Sequence, residues 1–178
     1  MDKHSILKQY YGHSVFRPGQ EALIDAILSG RDALCVMPTG GGKSLCYQIP
    51  ALLLPGITLV VSPLISLMKD QVAALKSVGV PAAYINSSLT GEQIRTVYAR
   101  TRKGAYKLIY VAPERLETSS FLSLMQEMNV SFLAVDEAHC ISQWGQDFRP
   151  SYLGIADFVN ALPRRPIVAA YTATATAQ

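Results

Sequence analysis

The segment MPTGGGKS at residues 37–44 decides the fold. It follows a short apolar run at residues 33–37 and opens a helical pattern over residues 43–54. Consecutive glycines let a backbone wrap around phosphate oxygens without Cβ clashes, and the first N–H groups of a helix supply hydrogen-bond donors. A strand, a glycine-rich turn and a helix that starts at Lys-Ser form the context of a phosphate-binding loop. The segment therefore predicts an α/β fold that binds a nucleotide.

The side chains that follow the glycines suit the phosphates and the metal of a magnesium-bound triphosphate. The Lys43 ammonium can reach the β- and γ-phosphates, and the Ser44 hydroxyl can ligate Mg²⁺. Met37 stands where the general pattern G-x-x-x-x-G-K-[ST] has its first glycine, so the match is incomplete at one position. The alternative is a glycine-rich turn before a core helix. The residues assigned to the nucleotide are Thr39, Gly40, Gly41, Gly42, Lys43 and Ser44.

Short apolar runs alternate with longer helical patterns along the chain. The predicted strands are residues 33–37, 57–62, 82–85, 108–112, 132–136 and 167–171, of which 82–85 is the weakest. The predicted helices are residues 18–28, 43–54, 64–77, 90–101, 119–128 and 151–162. Continuous apolar strands are typical of a parallel sheet covered on both faces. The alternation predicts a doubly wound α/β fold with right-handed crossovers and a mostly parallel central sheet.

A second candidate segment is FLAVDEAH at residues 132–139. A carboxylate at the C-terminal end of a buried strand faces the crevice in which such sheets bind ligands. Asp136 can hold Mg²⁺ through water beside Ser44, Glu137 can orient or deprotonate an attacking water, and His139 can contact the γ-phosphate region. A solvated acidic turn is the alternative, and the phosphate loop argues against it.

Composition excludes several classes of protein. Apolar residues make up 49% of the 178 and charged residues 16%, which allows a sizeable core and argues against disorder. The net charge of +3 permits a nucleic-acid partner without demanding one. Apolar runs are too short for a membrane helix, and the start has no signal-peptide pattern. The three scattered cysteines suit a reducing cytosol.

Six segments together resemble the RecQ family of superfamily 2 DNA helicases. They are FRPGQ (16–20), MPTGGGKSLCYQ (37–48), SPLISLMKDQ (62–71), APERL (112–116), DEAHCISQWGQDFRP (136–150) and YTATAT (171–176). They run in the family's order across essentially the whole chain. The resemblance implies a RecA-like P-loop NTPase lobe, a three-layer sandwich that occupies residues 1–178 as one domain. It also implies ATP and Mg²⁺ as cofactors.

The resemblance assigns His13, Arg17 and Gln20 to the adenine. The Gln20 amide offers a donor and an acceptor to the base edge, and the Arg17 guanidinium can lie on its face. His13 stands where many relatives have a larger stacking aromatic. Two alternatives stay open: Gln20 could cap a helix, and His13 could be a surface turn residue.

Further residues are assigned to DNA binding or to coupling. Aromatic rings stack on unpaired bases, so the loop after the acidic segment predicts a contact with single strands. Trp144 and Phe148 could instead be core residues, and Lys69 and Arg115 could simply be solvated. The assigned residues are Ser62, Lys69, Arg115, Gln143, Trp144, Phe148, Arg149, Thr172 and Thr174.

The whole activity implied by the resemblance is 3′–5′ DNA unwinding in recombination and repair, by a cytoplasmic, nucleoid-associated enzyme. The partners implied are single-stranded and partly duplex DNA and a second RecA-like lobe. That lobe, a zinc-binding domain and a winged helix are expected beyond Gln178, so the lobe alone is expected to bind ATP but hydrolyse it poorly. An RNA helicase lobe and a non-hydrolysing nucleotide-binding module are the alternatives. SQWGQDFRP at residues 142–150 argues against the first, and the Asp136–Glu137 pair against the second.

Overall fold

The computed structural model describes residues 1–38, 42–141 and 149–173. Its centre is a sheet of six parallel strands in the order β1-β6-β5-β2-β4-β3. The strands are β1 (Ala33–Val36), β2 (Ile57–Val61), β3 (Ala82–Ile85), β4 (Leu108–Val111), β5 (Val130–Val135) and β6 (Ile167–Thr172). The predicted α/β fold is confirmed, and every described strand is parallel to its neighbours.

In the described part of the chain, seven α-helices surround the sheet. They are α1 (Lys3–Tyr11), α2 (Gln20–Leu28), α3 (Leu45–Leu53), α4 (Ile65–Ser77), α5 (Gly91–Arg102), α6 (Ser119–Glu127) and α7 (Gly154–Ala161). One apolar cluster joins α2, α3 and α4 to one face of the sheet, and another joins α5, α6 and α7 to the opposite face. Helix α1 packs on α2 and α3 in a third cluster. None of these helices combines the length and apolarity needed to cross a membrane.

The order of the strands places a ligand crevice at the sheet's carboxyl edge. From β1 to β2 to β3 the chain crosses the sheet in one direction, and the connecting helices α3 and α4 lie on one face. From β3 through β4 and β5 to β6 it returns in the opposite direction, and the connecting helices α5, α6 and α7 lie on the other face. All crossovers therefore have the same hand, as the handedness rule requires. Neighbours β5 and β2 lead to helices on opposite faces, and such a switch point opens a crevice beyond the strand ends.

Helix α3, which follows the phosphate loop, contains a proline. Pro50 has no N–H to donate to the carbonyl of Cys46, four residues earlier, so that carbonyl is left without its helical partner. The buried Tyr171 hydroxyl of β6 donates to it at 3.0 Å. A buried carbonyl without a partner costs about 1–3 kcal/mol, so this bond fixes α3 against β6.

Several details differ from the sequence prediction. Leu34 and Val36 of β1 are exposed, although a sheet covered on both faces was predicted, because β1 lies at the edge of the sheet. Strand β5 begins at Val130, two residues earlier than predicted.

Helix α1 was not predicted, although its ends carry the expected signals: Asp2 accepts the N–H of Ser5 at 2.8 Å, and Gly12 is left-handed at φ 71°. Helix α2 begins at Gln20 and α3 at Leu45, each two residues later than predicted. Short 3-10 turns at Pro113–Glu117, Ala138–Ile141 and Pro150–Leu153 were not predicted, and the last replaces the start of the helix predicted from residue 151.

Candidate nucleotide-binding site

A cleft of about 710 Å³ lies at the carboxyl edge of the sheet, within the range of small-molecule sites. Its lining includes the side chains that the two motifs predicted to meet: Lys43, Ser44, Asp136 and Glu137. Lys43 and Asp136 are 93 positions apart in sequence. They meet because β1 and β5 flank β6 in a parallel sheet, so that their carboxyl ends open on the same edge.

Three charged side chains form the centre of the cleft. The Lys43 ammonium lies 3.5 Å from Asp136 Oδ1 and 3.7 Å from Glu137 Oε1. These side chains are only 17%, 7% and 22% exposed, so water screens their charges weakly. In this arrangement one ammonium offsets part of the negative charge of two carboxylates.

Main-chain and side-chain bonds hold Asp136 in place. Its N–H donates to the Val61 carbonyl of β2 at 2.9 Å, and its own carbonyl accepts the Tyr152 hydroxyl at 2.8 Å. Burial raises the pKa of the Asp136 carboxyl, while Lys43 and the Glu137 N–H, 3.0 Å from Oδ1, oppose that shift. The carboxylate is therefore held in a position where it is poorly solvated and suited to a cation.

Glu137 has an unusual backbone conformation. Its φ of +52° is the only left-handed value among the described non-glycine residues. Such a conformation costs of order 1–3 kcal/mol and persists where the surroundings impose it, often at functional sites. In an extended strand, consecutive side chains point to opposite faces. The turn at Glu137 instead brings the side chains of Asp136 and Glu137 to the same ammonium group.

His139 connects this acidic pair to the neighbouring strand. Its Nδ1 lies 3.1 Å from Thr172 Oγ1 at the end of β6 and 3.4 Å from Glu137 Oε2. Thr172 is 7% exposed, and its carbonyl accepts the N–H of Met37 just before the phosphate loop. A displacement of the acidic turn therefore acts directly on the strand end beside the loop.

The residues assigned to adenine line the same cleft. His13 and Arg17 are exposed, whereas Gln20 is 1% exposed. Gln20 Oε1 accepts the Arg17 N–H at 2.8 Å, and its Nε2 donates to the Gly42 carbonyl at 3.2 Å. Its side chain therefore joins the turn before α2 to the phosphate loop. A Cβ at Gly42, where φ is +79°, would clash with this amide, so the position requires glycine.

The residues assigned to DNA differ in exposure. Lys69 and Arg149 are exposed. Ser62 is buried, and its hydroxyl accepts the Leu64 N–H at 3.4 Å next to α4. Arg115 is half-buried and donates to the Tyr98 hydroxyl at 3.1 Å, so the alternative that it is simply solvated is wrong. The predicted site residues that lie outside the described residues are Thr39, Gly40, Gly41, Gln143, Trp144, Phe148 and Thr174.

The burial of Asp136 predicts a stability effect that depends on pH. At neutral pH the Asp136 carboxylate is charged in both states. Its charge is disfavoured by burial in the folded protein, whereas water solvates it in the unfolded chain. Replacing Asp136 by Asn is therefore expected to raise the free energy of unfolding at pH 7. The gain should shrink as pH falls through the raised pKa and vanish below the ordinary value near 3.8.

Denaturant unfolding across pH measures this difference. The control is Asp70→Asn, at an exposed position on α4, which should change stability little at any pH. Lower stability of Asp136→Asn at pH 7 would show that the attraction of Lys43 outweighs the cost of burial.

Comparison with known proteins identifies the family. The sequence profile of the DEAD/DEAH box helicase family matches residues 17–178. The chain belongs to this helicase family. It is 51% identical over 173 residues to the ATP-dependent DNA helicase RecQ of Bacillus subtilis and 54% identical over 171 residues to RecQ of Haemophilus influenzae. The resemblance to RecQ helicases is thus confirmed.

These matches cover the chain but only part of each relative. The two alignments include 97% and 96% of this chain, and 29% and 28% of the relatives. Among solved structures, the helicase Lhr of Mycobacterium smegmatis, bound to single-stranded DNA and AMP-PNP, superposes with a TM-score of 0.73. That comparison covers 93% of this chain and 24% of Lhr at 21% identity, so it bears on the helicase-lobe fold alone.

Proposed function

We propose that this chain is the first ATP-binding lobe of a RecQ-type DNA helicase, in which Mg·ATP hydrolysis drives 3′–5′ movement along a single strand and duplex unwinding. The proposal rests chiefly on one observation. The loop lysine and both strand-end carboxylates meet in a single cleft, with Lys43 within 4 Å of Asp136 and of Glu137.

The proposal assigns a role to each side chain of the site that the structure describes. Lys43 leaves the carboxylates and binds the β- and γ-phosphate oxygens, for which an ammonium is a suitable point charge. Glu137 then orients the attacking water and accepts its proton. His139, between Glu137 and Thr172, transmits the resulting change to β6. His13, Arg17 and Gln20 contact the adenine.

The donor groups in the cleft suit magnesium. Mg²⁺ prefers oxygen ligands and keeps several waters, and the cleft offers the Ser44 hydroxyl and the buried Asp136 carboxylate. The position beside Asp136 already accommodates a cation, because the Lys43 ammonium lies there. When bound, Mg²⁺ neutralises charge on the triphosphate. Ser44 and Asp136 are the residues that would hold it.

The rest of the proposed motor comes from the longer protein. The chain spans less than a third of its RecQ relatives, so a second RecA-like lobe would close the cleft and supply an arginine to the γ-phosphate. Such an arginine contributes about 10³–10⁵ to rate in related NTPases, so this lobe alone should bind ATP and hydrolyse it slowly. The DNA partners proposed are single-stranded and partly duplex DNA, in the bacterial cytoplasm.

Nucleotide binding and hydrolysis test the proposal directly. In the 178-residue chain, calorimetry should detect Mg·ATP binding with hydrolysis that is slow or absent. In the full-length protein, single-stranded DNA should stimulate ATP turnover, and a strand-displacement assay should show unwinding of DNA in the 3′–5′ direction.

Different outcomes would exclude different parts of the proposal. Failure of both proteins to bind Mg·ATP would exclude the nucleotide site. Stimulation by RNA and not by DNA would identify an RNA helicase. Nucleotide binding by the full-length protein without turnover under any condition would identify a non-hydrolysing module.

A further inference from the structure

A partly buried polar cluster joins three helices beside the cleft. The Gln48 side chain on α3 is its centre: Oε1 accepts the Tyr11 hydroxyl at 2.8 Å, and Nε2 donates to Gln71 Oε1 at 2.7 Å and to the Tyr110 hydroxyl at 3.0 Å. Tyr110 Oη also lies 3.4 Å from Gln71 Oε1, to which it donates. These four residues are called the Gln48 network below.

The network is costly to place in an apolar core. Gln48 is 4% exposed and Tyr110 1%, and burial raises the pKa of the Tyr110 phenol to about 12, so its hydroxyl stays a neutral donor. The Gln48 amide makes three hydrogen bonds, one through Oε1 and two through Nε2. Apolar side chains of similar volume could pack the same space without this desolvation. What the polar groups add is directional: they hold the helices in one relative position.

Each helix in the network leads to a different part of the proposed motor. Helix α1 ends at Tyr11, directly before the turn that carries His13. Helix α3 follows Ser44 of the phosphate loop. Helix α4 carries Gln71 two residues after the exposed Lys69, which is assigned to DNA.

The network also reaches the cleft itself. Tyr11 and Gln71 both belong to the lining of the cleft that contains Lys43. On its other side, α3 is fixed to β6 by the bond from Tyr171 to the Cys46 carbonyl. A shift of α3 on nucleotide binding therefore requires α4 to move or the hydrogen bond between Gln48 and Gln71 to break.

We infer that Gln48 is a positioning residue that couples nucleotide binding to DNA binding through α4. This inference rests on the proposed function, because it requires both ligands. Coupling is reciprocal, so the nucleotide should change the affinity for DNA by the same factor by which DNA changes the affinity for the nucleotide. In this view the Gln48 network carries most of that factor.

The test measures coupling separately from affinity and folding. In the full-length protein, fluorescence anisotropy gives the Kd for a single-stranded oligonucleotide with and without Mg·AMP-PNP, and calorimetry gives the Kd for Mg·AMP-PNP alone. We expect a coupling factor in the usual range of about 5–150-fold for the wild type, falling to about twofold or less in Gln48→Met. It should fall in part in Tyr110→Phe, which removes the Tyr110 bonds but keeps the direct bond from Gln48 to Gln71. The Kd of each ligand alone should stay within about threefold of wild type.

The control is Thr101→Val, which removes a buried hydroxyl on α5, the helix that packs on the face of the sheet opposite to α3 and α4. Thr101 Oγ1 donates to the Val97 carbonyl at 2.7 Å. It should lower the melting temperature but leave the coupling factor unchanged. If Gln48→Met does not fold, Tyr110→Phe decides, since it removes a single oxygen.

Variants that lose stability but keep wild-type coupling would overturn the inference, because the network would then be structural only. A wild-type coupling factor of one would overturn it as well, while leaving the nucleotide site intact. Absence of nucleotide binding in the wild type would instead contradict the proposed function on which the inference depends.

Discussion

Replacing Glu137 by Gln is expected to lower ATP turnover by about 10²–10⁴ in the full-length protein, the usual contribution of a general base. Glutamine keeps the shape of the side chain but cannot accept a proton from water. The affinity for Mg·ATP should change little, since Lys43 and Ser44, and not Glu137, are assigned to the phosphates and the metal. Steady-state kinetics give kcat, and calorimetry gives the Kd for Mg·ATP.

The matched control for this prediction is Glu127→Gln on α6. Glu127 is exposed and pairs with Arg102 at 3.1 Å, outside the cleft, so its replacement should leave kcat unchanged. A Glu137→Gln protein with near wild-type turnover would show that another group accepts the proton. A loss of ATP affinity equal to the loss of kcat would show that Glu137 binds the nucleotide.

The charged centre of the cleft could be predicted from sequence because two general rules fix its position. Apolar runs before Lys43 and Asp136 indicate strands, and the carboxyl ends of parallel strands share one edge of a sheet. That both residues lie on this edge follows without knowledge of the strand order, but that they meet also requires β1 and β5 to be close neighbours in the sheet. The order itself, with β6 between β1 and β5, depends on packing over the whole chain and has no local signal.

The Gln48 network could not be predicted in this way. Its bonds join residues 37, 23 and 62 positions apart, and a glutamine in a helix pattern is usually interpreted as a solvated residue. The left-handed turn at Glu137 is also invisible, since glutamate has no preference for that conformation. Helix α1, in contrast, could have been found from Asp2 and Gly12, which frame it as cap residues.

Replacing Lys43 by Ala should lower the affinity for Mg·ATP and raise the affinity for a divalent cation alone. Affinity for Mg·ATP should fall by about 10- to 150-fold, because a hydrogen bond to a charged group contributes about 1.5–3 kcal/mol. Affinity for a divalent cation without nucleotide should rise, because the ammonium 3.5 Å from Asp136 no longer competes for that carboxylate.

Calorimetry measures the first effect, and electron paramagnetic resonance of Mn²⁺ measures the second, both in the 178-residue chain. Lys76→Ala, at an exposed position on α4, is the control and should change neither affinity. Loss of both affinities would mean that the variant has lost the fold of the cleft, which circular dichroism would reveal. With the fold intact, unchanged Mg·ATP affinity would place the phosphates elsewhere, and unchanged Mn²⁺ affinity would show that Lys43 does not occupy the cation position.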